Sequence, residues 1–443
     1  MVPPNPPPGL SAIYQACRQV YQDQQNPLQV TAVIKYWLGG PDPLDYVSMY
    51  YNKGDPDRNI PEHWHYITFG FSDLHGDGRV HPTGNSSGPS GFGFELTMRL
   101  KKESTDTGPP TWPAELLQAL ARYVFQSENA LYSGDHVSWH APLDNSDSRL
   151  QHMLMTDDPQ LSMINTPTGF ISFIQVVGVC SEELKAAQQW NGPGVMELFK
   201  SIPLAGGPWL VTDMRRGETI FDLHPSLQDK VDEGIQFSGS NLSGVSAKCT
   251  WLDSSESAIY AGNDDIHRPP VLSQEVSNQI KDAFLEGLVK AKTQRIAASE
   301  LERHQQDNEG SHDFIYTQNL EAVHLKFNPE AASLLSLACK GRILHGRHFT
   351  FKSVNGDTAI TFVATGVEGA FVNERNPYAA RGSWLQVLIS EHLARKLIHK
   401  LEELSTIESV QLPKEYKWLE EKLEITVHPD AVFDALLPMH FPP

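Results

Sequence analysis

The sequence has few cysteines and a deficit of basic residues. Its 443 residues include 4 cysteines and no Cys-x-x-Cys pair, which favours reduced, buried thiols in a cytosolic or nuclear protein over a disulfide framework. The 35 lysines and arginines against 54 aspartates and glutamates give a formal net charge of −19. Nucleic acids and anionic membranes attract basic surfaces, so we predict no direct contact with either. The acidic surface suits a basic protein partner, and it also serves solubility.

Long apolar runs are missing as well. No stretch reaches the roughly 18 residues that a membrane-spanning helix needs. The proline-rich start, MVPPNPPPGL, has neither the basic nor the apolar region of a signal peptide. We therefore expect a protein with neither a leader nor a membrane anchor.

Motifs typical of enzymes are absent from the sequence. It contains no Gly-x-Ser-x-Gly nucleophile motif, no phosphate-binding Gly-x-x-x-x-Gly-Lys-Ser/Thr loop and no cysteine in a known catalytic signature beside a histidine. The pair Gly91 and Gly93 lies in a strand pattern and lacks the third glycine of a dinucleotide fingerprint. We predict that the protein is not an enzyme and carries no cofactor.

Histidines offer the nearest approach to a metal site. His63 and His65 alternate along a predicted strand, so both imidazoles lie on one face. Further candidates follow in the sequence at His75, His81, His136 and His140. Because no cysteine or acidic residue supplies the remaining ligands at a familiar spacing, we predict hydrogen-bonded structural histidines and no metal.

The length of the chain predicts two domains, since 443 residues exceed one ordinary core. Residues 250–272 combine serine, asparagine and proline without a helical or strand period, so the boundary is expected there. The predicted organisation is a disordered proline-rich N-terminus at 1–9, an N-terminal α+β domain at 10–252, a linker at 253–272, a C-terminal α+β domain at 273–437 and a tail at 438–443.

Apolar patterns predict an α+β fold, with a mainly antiparallel or mixed sheet and packed helices in each domain. Gly91–Leu100 alternates apolar with polar residues, which is typical of a strand with one buried and one wet face. Phe170–Val179 is almost continuously apolar and is predicted to be a central strand. Pro113–Gln126 carries a stripe of leucines and predicts a helix.

Further patterns predict elements elsewhere in the chain. Asn355-Gly356 between two apolar runs predicts a β-hairpin. Leucines at helical spacing predict one long helix over Trp384–Leu404, and Ser273–Arg303 is also predicted to be helical. Pro208–Asp213 and Glu218–Leu223 are predicted to be strands on either side of a turn.

Residues 134–145, GDHVSWHAPLDN, place two histidines, a tryptophan and two aspartates within twelve positions. Such a mixture is costly to bury and is typical of a recognition groove. With NIPEHWHYITFGFSDLHGDGRVH at 59–81 and GRILHGRHFTFKSVNGDTAITFVATGVEGAF at 341–371, this stretch resembles the Suppressor of fused family. Similar segments run in order through most of the chain.

The resemblance implies a non-enzymatic adaptor. Suppressor of fused proteins are negative regulators of Hedgehog signalling that bind Gli or Cubitus interruptus transcription factors, and they are linked to the Fused kinase. We accordingly expect a protein that retains such a factor in the cytoplasm and represses it in the nucleus. The family's long serine-rich insertion is not evident here, so regulation through it is not carried over. The rival hypothesis is a general scaffold whose main contacts lie outside the inter-domain cleft.

The resemblance also implies a peptide-binding site. In the family, a short motif of the Ser-Tyr-Gly-His-Ile-Phe type adds as a strand in a channel between the two domains, and the matching positions here are Tyr123, Asp135 and Leu334. Asp135 would pair with the motif's imidazolium, Tyr123 would offer a flat apolar face, and Leu334 would line a side-chain pocket. From the residues alone, the favoured interpretation is structural, with Tyr123 as a helix-packing residue and Asp135 as a turn aspartate.

Overall fold

A computed structural model describes residues 6–255, 317–404 and 410–434 of the protein. The chain divides into two units, Met1–Gly234 and Ile235–Pro443, called unit 1 and unit 2 below. Three predicted segments lie wholly or mainly outside the described residues, namely the helix Ser273–Arg303, the linker 253–272 and the tail 438–443.

The division between the units lies earlier than the sequence predicted. Strands β9 (Gly244–Ala247) and β10 (Cys249–Asp253) fall within the predicted N-terminal domain, yet both pair with strands of unit 2. β9 runs parallel to His348–Ser353, and β10 runs antiparallel to Val323–Phe327. The boundary is therefore set by hydrogen bonds between strands that are far apart in sequence. Local composition does not reveal such pairing.

Unit 1 is built on one mixed sheet of eight strands. In chain order they are β1 (Leu28–Thr31), β2 (Tyr46–Asn52), β3 (His63–Phe69), β4 (Pro89–Lys101), β5 (His136–Ser138), β6 (His152–Asp157), β7 (Ile164–Thr166) and β8 (Gly169–Val179). Across the sheet the order is β1-β2-β3-β4-β8-β6-β5, and β7 pairs with β8. β8 lies parallel to β4 and antiparallel to β6, which confirms the predicted central strand.

Helices cover both faces of this sheet. Unit 1 contains α1 (Pro8–Val20), α2 (Trp112–Ser127), α3 (Ser181–Gln189), α4 (Gly192–Lys200), α5 (Ile220–Leu223) and α6 (Ser226–Ser238), which runs past the division into unit 2. The leucines of α2 belong to the same core cluster as Val47 and Met49 of β2, whereas α1 shares a cluster with Tyr50 on the opposite face. The predicted helix Pro113–Gln126 is therefore confirmed. The predicted strands Pro208–Asp213 and Glu218–Leu223 are wrong, because the first begins in a 3-10 turn and the second is the capped helix α5.

The predicted wet face of β4 is buried. Glu95, Thr97 and Arg99 have no exposed surface, because they face the layer that α1 closes. Glu95 accepts hydrogen bonds from the hydroxyls of Thr68 and Ser72 at 2.6 and 2.5 Å. Burial raises the pKa of Glu95 to about 7. The alternation in the sequence showed two faces, but it did not show that a second layer covers the polar one.

Arg99 forms the centre of a buried polar network. Its Nη2 donates to both carboxylate oxygens of Asp158, at 2.8 and 3.1 Å, and its Nη1 lies 3.0 Å from His63 Nε2. His65 bridges two further groups. Its Nε2 lies 3.0 Å from Asp158 Oδ2, and its Nδ1 lies 2.7 Å from the Tyr21 hydroxyl. The prediction that His63 and His65 are hydrogen-bonded histidines is confirmed.

The network controls the charges of its members. Burial first, and then the positive charge of Arg99, lower the pKa of His65 to about 4 and that of His63 to about 3. Burial alone would raise the pKa of Asp158, but Arg99 and His65 outweigh it and hold that pKa well below its usual range. Both imidazoles are therefore neutral and Asp158 is ionised at neutral pH.

The described residues of unit 2 form two sheets. The strands after β10 are β11 (Thr317–Leu320), β12 (Val323–Phe327), β13 (His348–Ser353), β14 (Ala359–Ala364), β15 (Tyr378–Arg381), β16 (Trp384–Ile389), β17 (Lys414–Trp418) and β18 (Leu423–Val427). One sheet has the order β10-β12-β18-β17 and the other the order β11-β15-β16-β14-β13-β9. The helices are α7 (Pro329–Ala332), α8 (Leu335–Gly341), α9 (Glu391–Leu401) and α10 (Asp430–Asp434). Antiparallel pairing of β13 with β14 confirms the predicted hairpin.

The predicted long helix Trp384–Leu404 is wrong in its first third. Trp384–Ile389 is strand β16, which runs parallel to β14 and antiparallel to β15. Ser390 then caps α9 by accepting a hydrogen bond from the Leu393 N–H at 3.2 Å. The leucines fit either a buried strand or a helix, so tertiary pairing and the cap decided the outcome.

Acid is expected to weaken the His65 contribution to the stability of unit 1. The folded pKa of His65 is about 4 against a usual 6.5. The unfolded chain therefore binds more protons between these values, and stability that is present above pH 6.5 is lost as the pH falls towards 4. The stability deficit of His65→Gln should accordingly shrink by about 2–3 kcal/mol between pH 7.5 and 4.5. Urea unfolding at several pH values measures this.

The matched control is His224→Gln, which changes an exposed histidine of the same unit. Its effect on the free energy of unfolding should be small, because the side chain is exposed. A deficit of His65→Gln that stays constant over the same range would contradict the neutral, buried state of His65.

Candidate functional site

Asp135 lies in a tight turn that leads into strand β5. The Asp135 N–H donates to the Tyr132 carbonyl at 3.0 Å, and the Asp135 Oδ2 accepts from the Tyr132 N–H at 2.8 Å. Gly134 has a φ of +96°, a conformation that favours glycine. The carboxylate is half-exposed, and it forms no ion pair with any of the described residues. Asp135 is thus a turn aspartate, and the turn leaves Oδ1 available to a ligand.

The N-terminus of helix α4 supports this turn. A Cβ on Gly192 would lie 2.4 Å from the Gly134 carbonyl oxygen, so no other residue fits without moving the turn. The Pro193 ring closes against Gly134 from the same side. Asn191 caps the helix by accepting from the Gly194 N–H at 2.6 Å. The sequence Asn-Gly-Pro-Gly at 191–194 contained this signal, but the sequence alone did not connect it with Asp135.

Strand β5 lies at the edge of the unit 1 sheet. It pairs with β6 alone among the described strands, and its residues are exposed or half-buried. The Asp135 carbonyl accepts from the Met155 N–H at 2.8 Å, which aligns the turn with β6. An edge strand presents main-chain donors and acceptors to a further strand. Asp135 stands at the beginning of that edge.

Histidine side chains lie in and beside strand β5. His136 Nε2 lies 3.2 Å from Gln188 Nε2, and burial lowers the pKa of His136 although the charge of Asp135 acts in the opposite direction. The rings of His140 and His152 meet edge to face, with centroids 5.1 Å apart. The edge therefore combines these rings with the carboxylate of Asp135, which forms no ion pair with the described residues.

Tyr123 is on the exposed side of α2. Its side chain is 49% exposed, whereas its neighbour Val124 is fully buried. Asn129 Nδ2 donates to the Tyr123 hydroxyl at 3.4 Å. This exposure contradicts the interpretation of Tyr123 as a helix-packing residue. Residues 128–135 connect α2 to β5, so Tyr123 and Asp135 flank one loop of unit 1.

Leu334 belongs to unit 2. It is half-buried, precedes α8 and packs against the apolar core of that unit. The preceding helix α7 contacts β9, and β9 is an edge strand of the six-stranded sheet. Unit 2 thus also combines an edge strand with a partly exposed apolar side chain. Tyr123 and Asp135 both belong to unit 1, at the two ends of the segment that joins α2 to β5, and Leu334 is described only within unit 2.

The described residues contain neither a cluster of metal ligands nor a membrane-spanning helix. Within 6–255, 317–404 and 410–434, no three side chains of histidine, cysteine, aspartate or glutamate are grouped so as to hold a metal ion. None of the helices in these ranges combines the length and the apolar character required to cross a membrane. The four cysteines are buried and unpaired with one another, as predicted.

Family models match both halves of the chain. The model described as Suppressor of fused protein (SUFU) matches residues 40–217, and the model described as Suppressor of Fused Gli/Ci N terminal binding domain matches residues 229–427. The Suppressor of fused homologs of Mus musculus and Homo sapiens are each 55% identical to this chain in an alignment over 466 residues. The alignment covers 98% of this chain and 93% of each homolog.

Solved structures agree with this assignment. The crystal structure of Drosophila Suppressor of Fused matches with a TM-score of 0.72 at 39% identity, covering 96% of this chain and 97% of that one. A chain of the Sufu-Fu complex crystal structure matches with a TM-score of 0.50 at 50% identity and covers 52% of this chain. Since the family models, the homologs and a two-unit fold agree over nearly the whole length, this chain belongs to the Suppressor of fused family.

Proposed function

We propose that this protein is a negative regulator of Hedgehog signalling that binds a Gli or Cubitus interruptus transcription factor, retains it in the cytoplasm and represses it in the nucleus. The factor is bound through a short extended motif to which both units contribute. Tyr123 and Asp135 act from unit 1, and Leu334 acts from unit 2. The role is that of an adaptor, not of an enzyme.

The observation that carries the proposal is the half-exposed carboxylate of Asp135 at the beginning of the edge strand β5. A strand added to β5 would gain main-chain hydrogen bonds, and a histidine in it would find a carboxylate with a free oxygen. Because the Asp135 carboxylate is already held by the Tyr132 N–H, little side-chain freedom is lost on binding.

The comparisons support the choice of partners. The matched family model for residues 229–427 names Gli/Ci binding in its description. The structure described as the Sufu-Fu complex supports a Fused-type kinase as a second partner. The net charge of −19 opposes direct binding to nucleic acid or to anionic membranes.

Reversing the charge of Asp135 is expected to abolish tight binding of the motif. In Asp135→Arg a cation replaces the carboxylate that faces the motif's histidine, which removes a charge-assisted hydrogen bond of about 1.5–3 kcal/mol and adds repulsion. The affinity for a synthetic peptide containing Ser-Tyr-Gly-His-Ile-Phe should fall by at least about tenfold. Isothermal titration calorimetry on the full chain measures it.

The matched control is Asp147→Arg, which makes the same charge change at an exposed aspartate of the same unit. It should bind the peptide like the wild type. Equal affinities of wild type and a folded Asp135→Arg would overturn the site. If Asp135→Arg lost the peptide but retained the full-length factor in a pull-down, the general scaffold would be the better description.

Gly192→Ala is expected to weaken peptide binding through Asp135. The added Cβ would lie 2.4 Å from the Gly134 carbonyl oxygen and must displace the turn that positions the carboxylate. We expect a loss of affinity of about tenfold or less in the wild-type background and none in an Asp135→Ala background, because the two changes act on one interaction. Titration of all four combinations gives this double-mutant cycle.

Gly217→Ala is the control for this cycle, since a Cβ there meets no atom within 4 Å. It should leave both the affinity and the thermal midpoint unchanged. Additive losses from Gly192→Ala and Asp135→Ala would show that Gly192 does not act through the carboxylate.

A further inference from the structure

Residues 28–38 form an apolar surface at the sheet edge opposite β5, and the other described residues leave it exposed. Six large side chains are exposed there, namely Leu28, Val30, Val33, Ile34, Tyr36 and Leu38. Val33 is 98% exposed and Leu38 is 71% exposed. Contiguous exposed apolar surface on a soluble protein marks an interaction site. The proposed binding of the transcription factor does not use this segment.

Strand β1 is an edge without the usual protection. It pairs with β2 alone among the described strands. The Ala32 N–H donates to the Asp45 carbonyl at 3.3 Å, so by the alternation of an antiparallel ladder the main-chain groups of Gln29 and Thr31 point away from β2. Residues 28–34, LQVTAVI, contain neither a charge nor a proline to discourage pairing. The edge is therefore open to an added strand.

A groove of about 590 Å³ opens beside β1. Leu28 lies opposite Met49 in the β1–β2 register, and Tyr51 lies opposite Trp64 in the β2–β3 register, so the four side chains share one sheet face. The Tyr51 and Trp64 rings meet edge to face with centroids 5.7 Å apart. Helix α2 covers this face further along, but none of the described residues that line the groove belongs to α2.

Carboxylates lie close to the Tyr51 and Trp64 rings. Asp23 is the carboxylate among the described residues that line the groove. Trp64 Nε1 donates to Asp106 Oδ2 at 3.2 Å, and burial together with a hydrogen bond to Glu62 raises the pKa of Tyr51. Aromatic rings beside carboxylates suit an arginine, whose planar guanidinium stacks on rings while its N–H groups bind carboxylate oxygens.

We propose that β1 and this groove form a docking surface for an extended, basic and aliphatic segment of another protein. The segment pairs with the outer edge of β1 and places aliphatic side chains beside Leu28 and Val30. An arginine on the same face enters the groove over Tyr51 and Trp64, within reach of Asp23. Because β5 lies at the other edge of the sheet, the two sites can be occupied together.

The test uses a designed probe, the acetylated peptide Arg-Thr-Val-Thr-Val-Thr-Arg, titrated into the full chain at 0.15 M salt. Its valines and arginines share one face, and an arginine at each end serves either strand direction. We expect saturable binding of one peptide per chain, at least tenfold tighter than that of a matched peptide with both arginines changed to glutamate. Equal binding of the two peptides, or no saturable binding up to millimolar concentration, would overturn the proposal.

Substitutions locate the binding on the chain. Val30→Asp and Asp23→Asn should each weaken the probe several-fold. The controls Met163→Asp and Asp157→Asn introduce an aspartate at an exposed apolar position and remove a carboxylate at another exposed position of unit 1, and both should leave the affinity for the probe unchanged. A loss as large in the controls would identify nonspecific attraction to an acidic protein. Saturation with the Ser-Tyr-Gly-His-Ile-Phe peptide should not displace the probe, so this site can fail while the one at Asp135 stands.

Self-association is the remaining outcome. Pairing of two copies through β1 would appear in light scattering as a concentration-dependent dimer that Val30→Asp abolishes. A dimer of this kind without binding of the basic probe would assign the surface to a second copy and overturn the proposed occupant.

Discussion

The buried ion pair between Arg99 and Asp158 is the constraint on which unit 1 depends. Neither side chain is exposed, so each would be very unfavourable without the other. Further hydrogen bonds satisfy both members of the pair. Arg99 Nε donates to Gln175, whereas Asp158 accepts from the Thr97 hydroxyl and bonds to His65. The network ties β3, β4 and β8 to Asp158, the residue that follows β6.

This constraint extends to the edge where Asp135 lies. β6 ends at the buried ion pair, and the main chain of its Met155 bonds to both Gly134 and Asp135. The turn is fixed from the opposite side by the N-terminus of α4. An interaction in the interior thus sets the position of a half-exposed carboxylate. The opposite edge of the sheet is apolar, so one sheet presents two different kinds of strand edge.

The sequence predicted those features that local patterns determine. Pro113–Gln126, Phe170–Val179 and the Asn355-Gly356 hairpin agree with the structure, because a leucine stripe, an unbroken apolar run and a turn dipeptide each have one dominant outcome. The prediction of one helix over Trp384–Leu404 was wrong because the same leucines suit a strand and a helix, and pairing with β14 and β15 decided between them. The predicted domain boundary was wrong for a related reason, since β9 and β10 pair with strands that lie far along the chain.

The candidate site was predictable in part. Asp135 and Tyr123 came from the resemblance to a family, and local spacing alone favoured a structural role for each. The support from Gly192 depends on an approach between segments nearly sixty residues apart, which only coordinates reveal. The buried polar face of β4 was missed because alternation shows that two faces differ, but it does not show which layers cover them.

The parallel contact between β4 and β8 also governs how the chain matures on the ribosome. Strands β2, β3 and β4 are successive antiparallel neighbours and can associate as soon as they emerge, whereas the partner on the other side of β4 is synthesised about seventy residues later. Until then β4 has an open flank, and Arg99 is without a counter-ion until Asp158 has been made shortly before. Nascent unit 1 therefore exposes an unpaired strand edge, which is closed when residues 169–179 are inserted into the middle of the sheet.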